Sequence, residues 1–176
     1  MSLYDDDIAD SNKKITLVGV NTRYQIKKVL RIPTTKARAN WVDLPADMNN
    51  AMSQIALLTA FDSTLIKEIT NKLNGYKHQD VLKHRFAEQS FITLQQTVDL
   101  LDSSQLVCFY CHCFTPILYK MVRDGAQWSL DRIDNNIGHT HSNVVISCLK
   151  CNLQRKRVSA NTFAMSKQLV LTRDGL

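Results

Sequence analysis

Two Cys-x-x-Cys pairs, Cys108/Cys111 and Cys148/Cys151, constrain this chain more than any other feature. A Cys-x-x-Cys turn brings two sulfurs to the separation that a tetrahedral ion requires, and two such turns complete a four-cysteine zinc site with Zn–S bonds of about 2.3 Å. The stretch from Cys111 to Cys148 is longer than an ordinary zinc ribbon needs, so further structure is inserted between the two knuckles. Two unrelated pairs of free thiols are the alternative, and the repeated spacing argues against it. The fifth cysteine, Cys113, reads as a bystander, although it could take the place of Cys111.

Composition narrows the class. An apolar fraction of 44% in 176 residues permits a real core, and the formal net charge is +6. The N-terminus is acidic (Asp5, Asp6, Asp7, Asp10), so the rest of the chain is more basic than that figure suggests. A basic body fits a polyanionic partner. No apolar run reaches the roughly 18–20 residues that span a bilayer, and the acidic start is unlike a signal peptide. The expectation is an intracellular protein of the cytoplasm or nucleus, not secreted and not bound to a membrane. Cysteines there are metal ligands or free thiols more often than disulfides.

Hydrophobic periodicity divides the chain into an acidic, flexible segment over residues 1–14, a mostly helical region over 15–104, and a metal region over 105–176. Ile15–Val20 reads as a short strand. Met52, Ile55, Ala56 and Leu58 give Asn49–Ala60 a helical pattern, and Leu65, Ile66, Ile69 and Leu73 give Ser63–Leu73 another, with Asn74-Gly75 as its stop. Asp80–Glu88 is a candidate third helix. Thr93-Leu-Gln-Gln96 has the form of a capping box. After residue 104, short β-rich pieces (Leu106–Tyr110, Gln127–Ile133, Val144–Ser147) alternate with turns, and Leu149–Val158 reads as a helix with a basic face.

The run Trp128-Ser-Leu-Asp131-Arg132-Ile-Asp134-Asn135, then Gly138-His139, Asn143-Val-Val and Cys148-x-x-Cys151-Asn152, resembles the HNH (His-Me finger) endonucleases. Within them it is most similar to the zinc-stapled subset of phages and large DNA viruses, of the recombination endonuclease VII type. The resemblance covers about residues 106–157. It implies an α+β fold in which a helical N-terminal region precedes a zinc-stapled ββα-metal domain, and a DNA endonuclease that hydrolyses phosphodiester bonds. It also implies a Mg²⁺ or Mn²⁺ ion held by Asp131 and Asn152, with Asn143 holding the loop in position.

One position departs from the pattern. The residue after the metal Asp is ordinarily the histidine base, and here it is Arg132, which cannot accept a proton near neutrality. Asp134, His139 or His141 could take the proton instead. Arg132 could stabilise the phosphate while water attacks with little help. Or catalysis is lost, leaving a zinc-containing protein that binds or packages DNA. Each residue also has a structural reading: a turn for Asp134, a hydrogen bond across the loop for His139, a helix cap for Asn152, core packing for Trp128 and Leu130. Lys150, Arg155, Lys156 and Arg157 are the first candidates for DNA backbone contacts, and Lys27, Lys28, Arg31, Lys36 and Arg38 beside Trp41 form a second basic stretch. Nothing here reads bases in order, so recognition by backbone or shape is expected. The helical region leaves room for a homodimer.

Overall fold

The computed structural model describes residues 50–169, which belong to one compact unit. The acidic start, the strand expected at Ile15–Val20 and the basic stretch around Trp41 lie outside the described residues. Within them are five α-helices and one two-stranded antiparallel sheet, a mixed helix-and-sheet fold consistent with α+β.

Each of the three leading helices begins at a side-chain cap. Asn50 accepts from the Ser53 amide ahead of α1 (Ala51–Thr59). Asp62 accepts from the amides of Thr64 and Leu65 ahead of α2 (Ser63–Leu82). Thr93 and Gln96 form the full reciprocal capping box ahead of α3 (Leu94–Ser103), as the sequence predicts.

The expected stop at Asn74-Gly75 does not occur. The helix runs through Gly75 to Leu82, and there is no separate helix over Asp80–Glu88. A glycine inside a helix costs about 1 kcal/mol relative to alanine, and tertiary anchors beyond it offset that cost. Leu65, Ile69, Leu73 and Asp80 are all buried on one stripe of α2. Between the last two, the Tyr76 hydroxyl receives the Leu130 amide and its ring packs on His139.

β1 (Trp128–Arg132) and β2 (Val144–Cys148) pair antiparallel, with Leu130 opposite Ile146 and Asp131 opposite Val145. Both match strands that the sequence predicts. The third predicted piece, Leu106–Tyr110, forms only a single bridge between Val107 and Phe114. Strand alternation gives the hairpin two faces. Trp128, Leu130, Val144 and Ile146 pack with Leu58, Leu65, Ile69 and Leu101 in the main core. Ser129 and Asp131 turn instead toward α4 (Leu149–Arg155). α5 (Ala160–Gln168), capped by Ser159, adds Ala160 and Phe163 to a smaller cluster around Tyr110 and the cysteines.

The main core runs across the boundary expected near residue 104. Buried Gln54 of α1 makes that continuity specific: its Oε1 accepts from the amides of Ile117 and Leu118 and its Nε2 donates to the Leu118 carbonyl. A second seam joins the end of α2 to the β1–β2 loop. There a Cβ on Gly138 would lie 2.5 Å from the Arg85 carbonyl oxygen and 3.0 Å from Asp80 Oδ2. Gly138→Ala is therefore expected to destabilise the fold by about 1–3 kcal/mol, the cost of overpacking a tight contact. Urea unfolding of the variant checks this, and an unchanged midpoint would show that the seam yields freely.

Candidate functional site

The four sulfurs of Cys108, Cys111, Cys148 and Cys151 all lie within 4.8 Å of one another. Cys111 Sγ and Cys148 Sγ are 3.8 Å apart, close to the edge of about 3.8 Å that a tetrahedron with 2.3 Å Zn–S bonds requires. The first knuckle turns on a left-handed His112 (φ 56°), with the His112 amide on the Cys108 carbonyl and the Cys108 amide on that of Cys113. The second is the start of α4, where the Cys151 amide donates to Cys148 Sγ. Cys113 is exposed and outside the cluster.

The thiols perturb one another at this separation. The hydrogen bond from Cys148 pulls the Cys108 thiol down to about 4. Its thiolate pushes Cys148 up, and burial pushes Cys151 up to about 12. A metal such as zinc would be held by these four residues, whose sulfurs lie at tetrahedral ligand separations.

Asp131 sits near the end of β1, buried, and both its oxygens are engaged. Arg155 Nε donates to Oδ2 at 2.6 Å and Nη2 to Oδ1 at 2.8 Å, while the Tyr110 hydroxyl donates to Oδ2 at 2.8 Å. The rest of the guanidinium is satisfied by the carbonyls of Arg132 and Val158 and by Asn135 Oδ1. The hydrogen bond to Asp131 raises Arg155 above its ordinary value, and burial above all raises Tyr110. Arg155, expected at the surface as a phosphate contact, is 1% exposed. The correction has a physical cause: a carboxylate buried on β1 needs a cation, and the last turn of α4 supplies one.

Asn152, also on α4, donates from Nδ2 to Ser129 Oγ and to the Leu130 carbonyl, each at 3.2 Å. It is inside the helix, whose cap is Cys148. An ion at Asp131 does not fit while Arg155 stays in place, because the carboxylate has neither an uncommitted oxygen nor an unbalanced charge.

The loop between the strands is clamped from within. Asn143 Oδ1 accepts from the Asp134 amide, and its Nδ2 donates to the carbonyls of Asp134 and Gly138. Asp134 caps its own turn by accepting from the Asn136 amide. His139 is buried, and Asp80 Oδ2 accepts from both its backbone amide (2.7 Å) and its ring Nδ1 (2.9 Å). The carboxylate fixes the tautomer: Nδ1 carries the proton and Nε2 keeps its lone pair. Burial lowers the His139 pKa despite the opposing pull of Asp80. Asp80 Oδ1 has no hydrogen bond, but Arg132 Nη1 lies 3.7 Å away and donates to the Ile137 carbonyl.

Of the basic residues expected at the DNA, Lys156 and Arg157 are exposed where α4 ends, and Lys156 turns the chain with φ 53°. Lys150 stands apart from them, its backbone against the Gly125 turn. The sequence reading misses Asp80 and Tyr110. Asp80 can be found by continuing the Leu65–Ile69–Leu73 stripe through Tyr76, where a carboxylate falls on an apolar face. Tyr110 carries no such signal beyond its place inside the first knuckle.

No family model matches the chain, and no solved structure matches it. A similar stretch occurs in Uncharacterized protein R423 of Acanthamoeba polyphaga mimivirus, 33% identical over 72 residues that make up 41% of this chain. The chain spans only 12% of that viral protein's length. No helix among the described residues is long and apolar enough to cross a membrane.

Two outcomes follow from the geometry. Cys148→Ser should abolish binding of one zinc per chain, measured by elemental analysis, and lower the melting temperature. Arg155→Met and Asp131→Leu should each cost about 3–5 kcal/mol by stranding a buried charge, whereas the double substitution costs less than either. Equal and additive losses in a double-mutant cycle would show that the two residues are not coupled.

Proposed function

We propose that the protein is a nucleic-acid phosphodiesterase of the HNH endonuclease type, acting on DNA. The observation that carries this reading is the assembly of Asp131, Asn143 and Asn152 around one hairpin and one helix whose junction is stapled by four cysteines. The order of those elements is that of the resembled family, and the partial likeness to a mimivirus protein fits a viral setting.

Within this reading the chain's own residues divide the work. Asn143 fixes the loop, so that His139 and Arg132 are held on opposite sides of Asp80. Among the candidate bases, His139 has both an orienting carboxylate and a lone pair at Nε2. Burial keeps it neutral at physiological pH, the state in which it can accept a proton. Asp134 is spent on its turn. Arg132 contributes charge toward phosphate. The zinc at the four cysteines would be structural. The expected Mg²⁺ or Mn²⁺ is assigned no step, since Asp131 is paired with Arg155.

That pair favours a second reading, a zinc-containing protein that binds or packages DNA without cutting it. Supercoiled plasmid and a four-way junction incubated with Mg²⁺ or Mn²⁺ separate the two. Cutting by the wild type that His139→Ala lowers by about 10²-fold or more, the ordinary worth of a general base, in a variant that still folds and retains its zinc, supports the nuclease. Salt-sensitive binding with no cutting under any divalent ion would leave only the binding protein.

A further inference from the structure

We propose that the cleft between the end of α2 and the end of α4 is the track for a nucleic-acid backbone, with Lys83 and Arg85 as one wall and Lys156 and Arg157 as the other. It rests on the nucleic-acid reading above but not on cleavage. The cleft has a volume of about 730 Å³, and the first residues of the β1–β2 loop also line it.

Its charge is one-sided. Lys83, Arg85, Arg132, Lys156 and Arg157 all line it, against the single carboxylate of Asp134. Arg155 also reaches the lining, but its charge is spent on Asp131. Lys83, Arg85, Lys156 and Arg157 have no acidic partner among the described residues. Lys83, Lys156 and Arg157 are exposed and Arg85 is half-buried.

The fold concentrates these cations in the face of their mutual repulsion. α2 ends at Leu82 with Lys83 as its C-cap, His84 takes a left-handed turn (φ 53°), and the Arg85 amide returns to the Asp80 carbonyl. That turn brings Arg85 into the same lining as Arg132, whose Nη1 lies 3.7 Å from Asp80 Oδ1. Like charges gathered this way raise the local potential and call for an anion. The cations come from segments far apart in sequence and line one cleft. A single phosphate would need one cluster, whereas a phosphodiester chain is met at several points along its length. An acidic protein would seek apolar anchors, and the apolar side chains here, Ile133 and Val158, are isolated within a charged lining.

The test uses the full chain and a short fluorescent DNA duplex, with binding followed by anisotropy across a salt series. Each phosphate contact contributes about 0.9 to the slope of log K against log salt. Lys83→Ala/Arg85→Ala should lower the slope by about 2, as should Lys156→Ala/Arg157→Ala, and Lys67→Ala, an exposed site in the first turns of α2, should leave it unchanged. Because Arg85 is half-buried, Lys83→Glu alone serves as a second variant, expected to weaken binding at unchanged melting temperature. Wild-type binding with a slope that neither Lys83 variant alters would overturn the cleft while sparing the nucleic-acid reading. Absence of any DNA binding by the wild type would overturn both. Polyglutamate that competes with DNA as well as unlabelled duplex does would also overturn the proposal, marking the surface as a generic acceptor of acidic chains.

Discussion

The buried pair of Asp131 and Arg155 is the interaction on which the metal region depends. Taking a carboxylate and a guanidinium out of water costs several kcal/mol per ion, and attraction alone seldom repays it. Here the remaining polar atoms are also satisfied. Tyr110 reaches the carboxylate from the first knuckle, and the guanidinium holds Arg132, Asn135 and Val158. One ion pair thereby joins β1, the last turn of α4, the loop and the entry to α5. The cysteine cluster closes the same unit from its other end, where Cys148 and Cys151 open α4. A small hairpin and a helix of seven residues would not hold this arrangement unaided, since short helices are marginal without tertiary support.

A parallel device binds the helical half to the site. Asp80, near the end of α2, accepts twice from His139 and faces Arg132. The loop that carries the motif is thus positioned by a helix from the other half of the chain. Gly138 allows the close approach, because any side chain there would meet the Arg85 carbonyl. With Gln54 tying α1 to Ile117 and Leu118, the helices preceding residue 104 form one core with the hairpin and supply one carboxylate of its polar network.

Much of this is legible in the sequence, for a physical reason that differs by element. Thr93 and Gln96 announce α3 because a capping box is local chemistry, fixed by residues three apart. The two cysteine pairs announce a cluster that could hold a metal because ligand spacing is local as well. Asn143 is expected to hold the loop, and its side chain does bridge Asp134 and Gly138. What sequence could not supply were partners chosen in three dimensions. Arg155 looks like one of several basic residues on an exposed helical face, and nothing in its neighbours marks it as the one that turns inward to Asp131. Gly75 looks like a stop because the anchors that carry α2 past it, Tyr76 on Leu130 and Asp80 on His139, lie more than fifty positions away.

The two charged centres of this fold are balanced in opposite ways, and the difference bears on function. The four cysteines form a cluster that could hold a metal such as zinc, a charge brought from outside. Asp131 carries a negative charge that the chain neutralises itself, so an ion there competes with Arg155. The hydrogen bonds that hold the guanidinium to Asp131, Arg132, Asn135 and Val158 make that pair self-sufficient, so the fold itself accounts for the buried carboxylate.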